Sequence, residues 1–339
     1  MDLLSILLFA TNSILPVILL AALGYFLKTR GFFTGEFLRI GNKTVFRVLL
    51  PVLLFTNLAE LDSFSELKWD AVLYVLAVVA LLFALGLLFA GMTPDRRQKG
   101  VLLQGVFRSN FALVGVPLAQ LMAGERGVQA VALLSAFTIP LFNVLSVVAL
   151  TVYVGRESEA DVQGRVGAAV KGILRNPLII GVLAGIGWVL LKPLVGQMSP
   201  GVTAFLGKCT FVGTALEYLA RASTPVALLV LGGQFEINSV RSLRKQIGLG
   251  VLGRLFLAPL LGIGGAVLLQ GWGILQFDNG IFAALISLFA TPAAVASAVM
   301  AEEMDNDGQL AGQLVVWTTM LSAGVIFGAV ALLRGLGLV

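Results

Sequence analysis

Of the 339 residues, 58% are hydrophobic and only 12% charged, with a mean hydropathy of +0.98 and a net charge of +5. Soluble domains hold about 45–50% apolar and about 25% charged residues, so a surplus of this size cannot be hidden in a core bathed by water. There is no histidine and a single cysteine, Cys209, which excludes a disulfide framework, a multi-cysteine metal site and histidine-based acid–base chemistry.

The apolar residues come in long runs that are apolar on every face, without the alternation of a barrel strand. Lipid leaves helices as the remaining choice, because each backbone group must bond within its own segment. A span takes about 20 mainly apolar residues. Ten are predicted, at 5–27, 37–58, 71–90, 100–122, 128–154, 172–194, 209–234, 247–269, 280–300 and 310–333. The first has no Lys or Arg before it and no small-residue cleavage pattern after it, so it reads as a membrane helix and not as a removable signal.

Span 1 carries Pro16 and Gly24; span 2 carries Arg47 four residues before Pro51-Val52. Span 4 reads Gly105-Val-Phe-Arg-Ser-Asn-Phe-Ala-Leu-Val-Gly-Val-Pro117, with Gln120 beyond it. Span 5 holds Thr138 and Asn143, which either line a cavity or hydrogen-bond between helices. A polar stretch, 156–171, then connects the halves and is too short to be a soluble domain. Span 6 repeats the Pro-to-Gly spacing of span 1 with Pro177 and Gly185, and span 7 repeats the Arg-to-Pro spacing of span 2 with Arg221 and Pro225. In span 7, Glu217 precedes Arg221 by four residues, which places an ion pair on one helix face. Gln234 ends that span at the interface. Arg47 and, in span 8, Arg254 lie in cytoplasmic halves and are expected to snorkel to the interface. Span 9 reads Leu288-Phe-Ala-Thr-Pro292-Ala-Ala-Val-Ala-Ser297. Trp69, Trp188, Trp272 and Trp317 are expected as belt or packing residues.

The matched punctuation divides the chain into a first five-helix repeat, 1–155, the connecting loop 156–171, and a second repeat, 172–339. Five is odd, so the second repeat enters the membrane from the opposite side, and such inverted repeats place substrate sites at broken helices near the midplane. Loop Lys and Arg residues split thirteen to five between the two sides, which puts both termini outside the cytoplasm. Only the acidic loop 301–309 departs from this pattern. Spans 4 and 9 occupy the same place in their repeats, and each carries a proline that removes a donor and clashes with the preceding turn. Unwinding is expected between Ser109 and Pro117 and around Pro292, with the two spans crossing. Broken there, they would present helix N-termini to an anion.

Several segments resemble the auxin efflux carrier family, which includes plant PIN proteins and bacterial malonate- and malate-type carriers. They are Leu50-Pro-Val-Leu-Leu-Phe55, Asn110-Phe-Ala-Leu-Val-Gly-Val-Pro117, Arg175-Asn-Pro-Leu-Ile179, Thr224-Pro-Val-Ala-Leu-Leu229 and Thr291-Pro292. The resemblance implies ten helices, external termini, crossing spans 4 and 9, and export of a small organic anion. It implies that Asn110 contacts a substrate carboxylate, and that spans 2 and 7 form a scaffold and a homodimer interface. Plant members carry a second proline after that of span 9; this chain has none after Pro292.

The candidate substrate-binding residues are therefore Arg108, Ser109, Asn110, Gly115, Pro117, Asn143, Thr291 and Pro292. Arg108 either attracts the anion, pairs within the protein or snorkels. No metal and no cofactor is called for, and the basic clusters suit a membrane interface and not nucleic acid. An enzyme would need Ser/Lys or Asp/Asp chemistry, and no such pair lies at membrane depth. A channel would need a charge ring or a carbonyl filter, and neither is evident. Malate, malonate and auxin-like acids all fit. Coupling to H+ lacks the buried carboxylate pair it would use, whereas Na+ coupling of the bile-acid-transporter type needs only backbone carbonyls. The expected location is a bacterial-type inner, or plasma, membrane.

Overall fold

The structure, a computed structural model, describes residues 3–59, 68–154, 175–196 and 210–339. Cys209 and the connecting loop 156–171 lie outside them. Among the described residues everything regular is helical: α1 (Leu3–Thr29), α2 (Gly35–Thr44), α3 (Leu50–Ala59), α4 (Trp69–Gly91), α5 (Arg96–Phe107), α6 (Phe111–Val154) and α7 (Pro177–Gly196). The remainder are α8 (Thr210–Gln234), α9 (Ser239–Leu252), α10 (Gly265–Gly271), α11 (Asn279–Phe289), α12 (Val295–Glu303) and α13 (Gly308–Gly335). Wider π-turns join α2 to α3 at Val45–Leu49 and fill the stretch between α9 and α10 at Gly253–Leu257 and Leu260–Gly264. Among the described residues five stretches are long and apolar enough to cross a membrane: Trp69–Gly91, Val114–Val154, Thr210–Gln234, Ser239–Gly271 and Gly308–Gly335. The second would run to about 60 Å at 1.5 Å per residue, twice a bilayer core. It is parted at Gly124, whose φ of 58° turns the chain back.

Two apolar cores form. One gathers Leu82 of α4, Phe107 of α5, Phe111 and Leu134 of α6, Phe282 of α11 and Val330 of α13. The other gathers Leu54 of α3, Val182 of α7 and Leu231 of α8 against Leu102, Met300 and Leu314. Close crossings hold the second group. A Cβ at Gly24 of α1 would collide with the Leu229 carbonyl of α8, and one at Gly232 with the Ala21 carbonyl. Likewise, Gly181 and Gly185 of α7 pack on Pro51 and Leu58 of α3.

The two ends of the bundle are chemically distinct. At one, Arg97 donates to the Asp305 and Asn306 carbonyls at 3.0 and 3.1 Å, and Arg96 to the Tyr153 carbonyl at 3.1 Å. Asn42 donates to Glu303 there at 3.1 Å. The acidic loop that departs from the charge pattern thus shares its end with basic residues, and its conformation is fixed by Arg97 and by Asn306, which is fully buried and bonded to the Leu150 carbonyl. Burial, only partly offset by Arg97, holds Glu302 above the usual carboxylate range, and Glu303, Asp307 and Asp305 add to it. At the other end Lys68 pairs with Asp278, the N-cap of α11. Burial alone would raise Asp278. The Lys68 and Ile281 hydrogen bonds, with the charges of Lys68 and Arg126, bring it below its usual value instead.

Candidate functional site

Predicted spans 4 and 9 both break, and the breaks meet. After α5 the chain extends at Arg108 (φ −87°, ψ 108°), and α6 begins at Phe111. After α11 it extends to Ala294 (φ −67°, ψ 135°), and α12 begins at Val295. Between them Ser109 and Ala293 form an antiparallel bridge, with Asn110 N–H donating to the Pro292 carbonyl at 2.8 Å and Ala294 N–H to the Arg108 carbonyl at 3.4 Å. The break in span 4 is shorter than expected. It ends at Asn110, and Pro117 sits inside α6, because the unwinding is set by this strand-like exchange and not by the proline.

Breaking a helix strands its last carbonyls. Pro292 has no N–H for Leu288, Ala293 N–H turns to Thr318 Oγ1 at 3.0 Å, and Asn110 N–H turns to Pro292 in place of Val106. Arg254 collects what is left. Its Nε donates to Thr291 O at 3.0 Å, Nη1 to Val106 O and Phe107 O at 3.3 and 3.1 Å, and Nη2 to Leu288 O and Phe289 O at 2.9 and 2.8 Å. The expectation that Arg254 snorkels is therefore wrong: it is 0% exposed, at the heart of the crossing. Arg47, by contrast, is exposed.

Beside the crossing lies a cavity of about 630 Å³ between the two apolar cores, within the range of about 300–1,000 Å³ usual for small-molecule sites. Arg108, Ser109, Asn110, Pro117 and Asn143 line it, with the first residues of α6 and α12, and with Asn57 and Arg221 farther along. Its walls are otherwise largely apolar, including Leu20, Leu53, Leu54, Ile139, Phe142 and Leu228. Among the described residues no Asp or Glu lines it. Arg108 is 5% exposed; Nη2 donates to Asn143 Oδ1 at 3.0 Å and Nη1 leans on Met300 Sδ, so its charge meets no carboxylate among the described residues. The Asn110 amide makes no hydrogen bond to a described residue, and Ser109 Oγ is buried without one. The α12 N-terminus has no side-chain cap.

Three candidates stand apart from the cavity lining. Thr291 is fully buried, its hydroxyl bonded to Ser287 O at 2.8 Å. Pro292 serves through its carbonyl, and Gly115 packs on the Phe111 ring. Thr138 bonds back to Leu134 O at 2.7 Å, while Gln120 is exposed. Arg221 and Glu217 form the ion pair that their spacing predicts. Asn57 and Thr318 were not singled out in the sequence; a lone amide and a lone hydroxyl in apolar spans carry no periodic signal.

The profile of the family described as membrane transport protein matches residues 9–327. The chain is 24% identical to an uncharacterized transporter of Methanothermobacter thermautotrophicus, over 92% of this chain and 95% of that protein. It is 25% identical to a putative malonate transporter of Rhizobium meliloti, over 96% of each. It is also 28% identical to PIN-LIKES 2 of Arabidopsis thaliana, over 44% of this chain and 32% of that one. These likenesses carry no enzyme among them, and they accord with the apolar helices. The chain belongs to the membrane transport protein family, that of the auxin efflux carriers, and is an integral membrane transporter.

Proposed function

We propose that this protein exports a small organic anion, a carboxylate, across the plasma membrane by alternating access. One observation carries the reading: the cavity is lined by Arg108 and by two helix N-termini, and no acidic side chain among the described residues lines it. Each N-terminus is worth about half a positive charge, so with Arg108 the site holds an excess that a mono- or dicarboxylate would neutralise. Asn110 adds an amide donor without a partner among the described residues, and Asn143 bonds Arg108. The malonate named for the Rhizobium relative falls in this substrate class.

The architecture behind this reading is ten spans in two inverted five-helix repeats, 1–155 and 172–339. Equivalent contacts support it. Gly24 meets Leu229, four residues after Pro225; Gly185 meets the Phe55 carbonyl, four residues after Pro51. Each pair is the repeat image of the other, and so are the two breaks that meet at Ser109 and Ala293. Both termini outside would make the Arg97–Asp305 end cytoplasmic. Asn42 bonds to Glu303 and to Val299 O at that end.

A thermal-shift screen of the purified protein against small carboxylates tests the reading. A ligand at one hundred times its Kd stabilises the folded state by about 2.7 kcal/mol. Matched amines and neutral amides should do nothing. Stabilisation by amines but by no carboxylate would refute the function.

A further inference from the structure

The crossing contains a second charged feature that substrate binding does not use. α5 and α11 both end at Arg254, so two helix C-termini converge on one guanidinium. Each C-terminus carries about half a negative charge, and together they offset the single positive charge of the arginine. The hydrogen-bonding ledger closes as well. Arg presents five N–H donors in a fixed fork, and five backbone carbonyls receive them, from Val106, Phe107, Leu288, Phe289 and Thr291. Converging carbonyls at the ends of broken helices are also what binds a coupling Na+ in a transporter. Here the side chain of a neighbouring helix already fills that place. It is 0% exposed and is not among the residues that line the cavity.

We infer that Arg254 is a resident cation of the crossing, standing where a coupling cation would bind, so that the transport cycle takes up no Na+ there. The carbonyl groups that would strip a Na+ ion of its water are taken up by the guanidinium, and a second positive charge among them would meet repulsion with no carboxylate bonded there among the described residues to relieve it. The two half-helices are then held together in every step of the cycle by a permanent bond, and the anion alone decides when the assembly moves. Removing the side chain should uncover a cation site shaped for guanidinium.

The inference rests on the transporter reading for its flux measurement only; its binding measurement stands on the crossing alone. The purified wild-type protein is melted in Na+ and in choline at equal ionic strength, and carboxylate uptake into proteoliposomes is followed in the same two salts. Neither melting temperature nor uptake should differ. A melting temperature raised by Na+, or uptake that needs Na+, would overturn the inference. Arg254→Ala should melt well below wild type and recover, saturably, with free guanidinium ion but not with its neutral analogue urea. Absence of that rescue would also overturn it. If Arg254→Ala cannot be purified, the wild-type comparison still decides. A protein that moves no carboxylate yet melts identically in both salts would sink the proposed function and leave the occupied crossing standing.

Discussion

Replacing Arg108 by Gln separates anion binding from folding. Arg108 is 5% exposed and makes one hydrogen bond to a side-chain oxygen, 3.0 Å from Asn143 Oδ1. Its charge is not met by a carboxylate among the described residues, so the folded protein bears a desolvation cost that for a buried ion amounts to several kcal/mol. A substrate carboxylate would supply the missing partner. A hydrogen bond between charged groups is worth about 1.5–3 kcal/mol, which at about 1.4 kcal/mol per decade is a loss of roughly ten- to a hundred-fold in affinity for Arg108→Gln. Stability should move the other way, or not at all, because the unpaired charge is gone and Gln can still reach Asn143. Isothermal titration with the carboxylate found in the screen, together with the melting temperature of the unliganded protein, measures both quantities. Salt should change the result little, since the site is buried and weakly screened. Undiminished affinity would refute the argument, and so would a loss of affinity that merely follows a fall in melting temperature.

Four other outcomes are expected. Asn110→Ala should weaken carboxylate binding by about ten- to a hundred-fold at unchanged melting temperature, because the Asn110 backbone N–H, and not its amide, bonds Pro292; a parallel loss of stability would assign the side chain to folding. Gly232→Ala should fail to give monodisperse protein while Gly213→Ala behaves as wild type, since a Cβ meets the Ala21 carbonyl in one case and open space in the other; size-exclusion chromatography in detergent distinguishes them. Glu302 holds its proton to a higher pH when folded than when unfolded, so its contribution to stability is complete below the ordinary carboxylate range and is lost as pH rises through the raised value. Wild type should therefore lose melting temperature relative to Glu302→Gln on going from acid to neutral pH, and parallel curves would contradict the assignment. Finally, in a Cys209→Ser background, cysteine at position 68 should be labelled from outside intact cells and cysteine at position 97 should not; the reverse pattern would invert the topology.

Sequence alone determined the membrane environment, since runs apolar on every face have one solvent. It also located the breaks, because Pro292 and the Asn110 segment interrupt otherwise uniform spans; it picked out Asn110 and Arg108, which the structure places in the lining of the cavity, and the Glu217–Arg221 pair, whose signals are local. What it could not supply were partners far along the chain. In the sequence Arg254 looks like any basic residue within a membrane span; only folding sets it against carbonyls 147 residues before it and 35 after it. Burial of a charge is decided by what surrounds it in space, and a guanidinium that finds five acceptors at two helix ends has no reason to reach for the interface. The same holds for Thr291 and Gly115: Ala294 and Val114, close to them in the chain, line the cavity, and they do not. The extent of the span 4 break was likewise a tertiary matter: Asn110 gives up its helical bond for the Pro292 carbonyl of a segment that only the completed bundle brings within 2.8 Å.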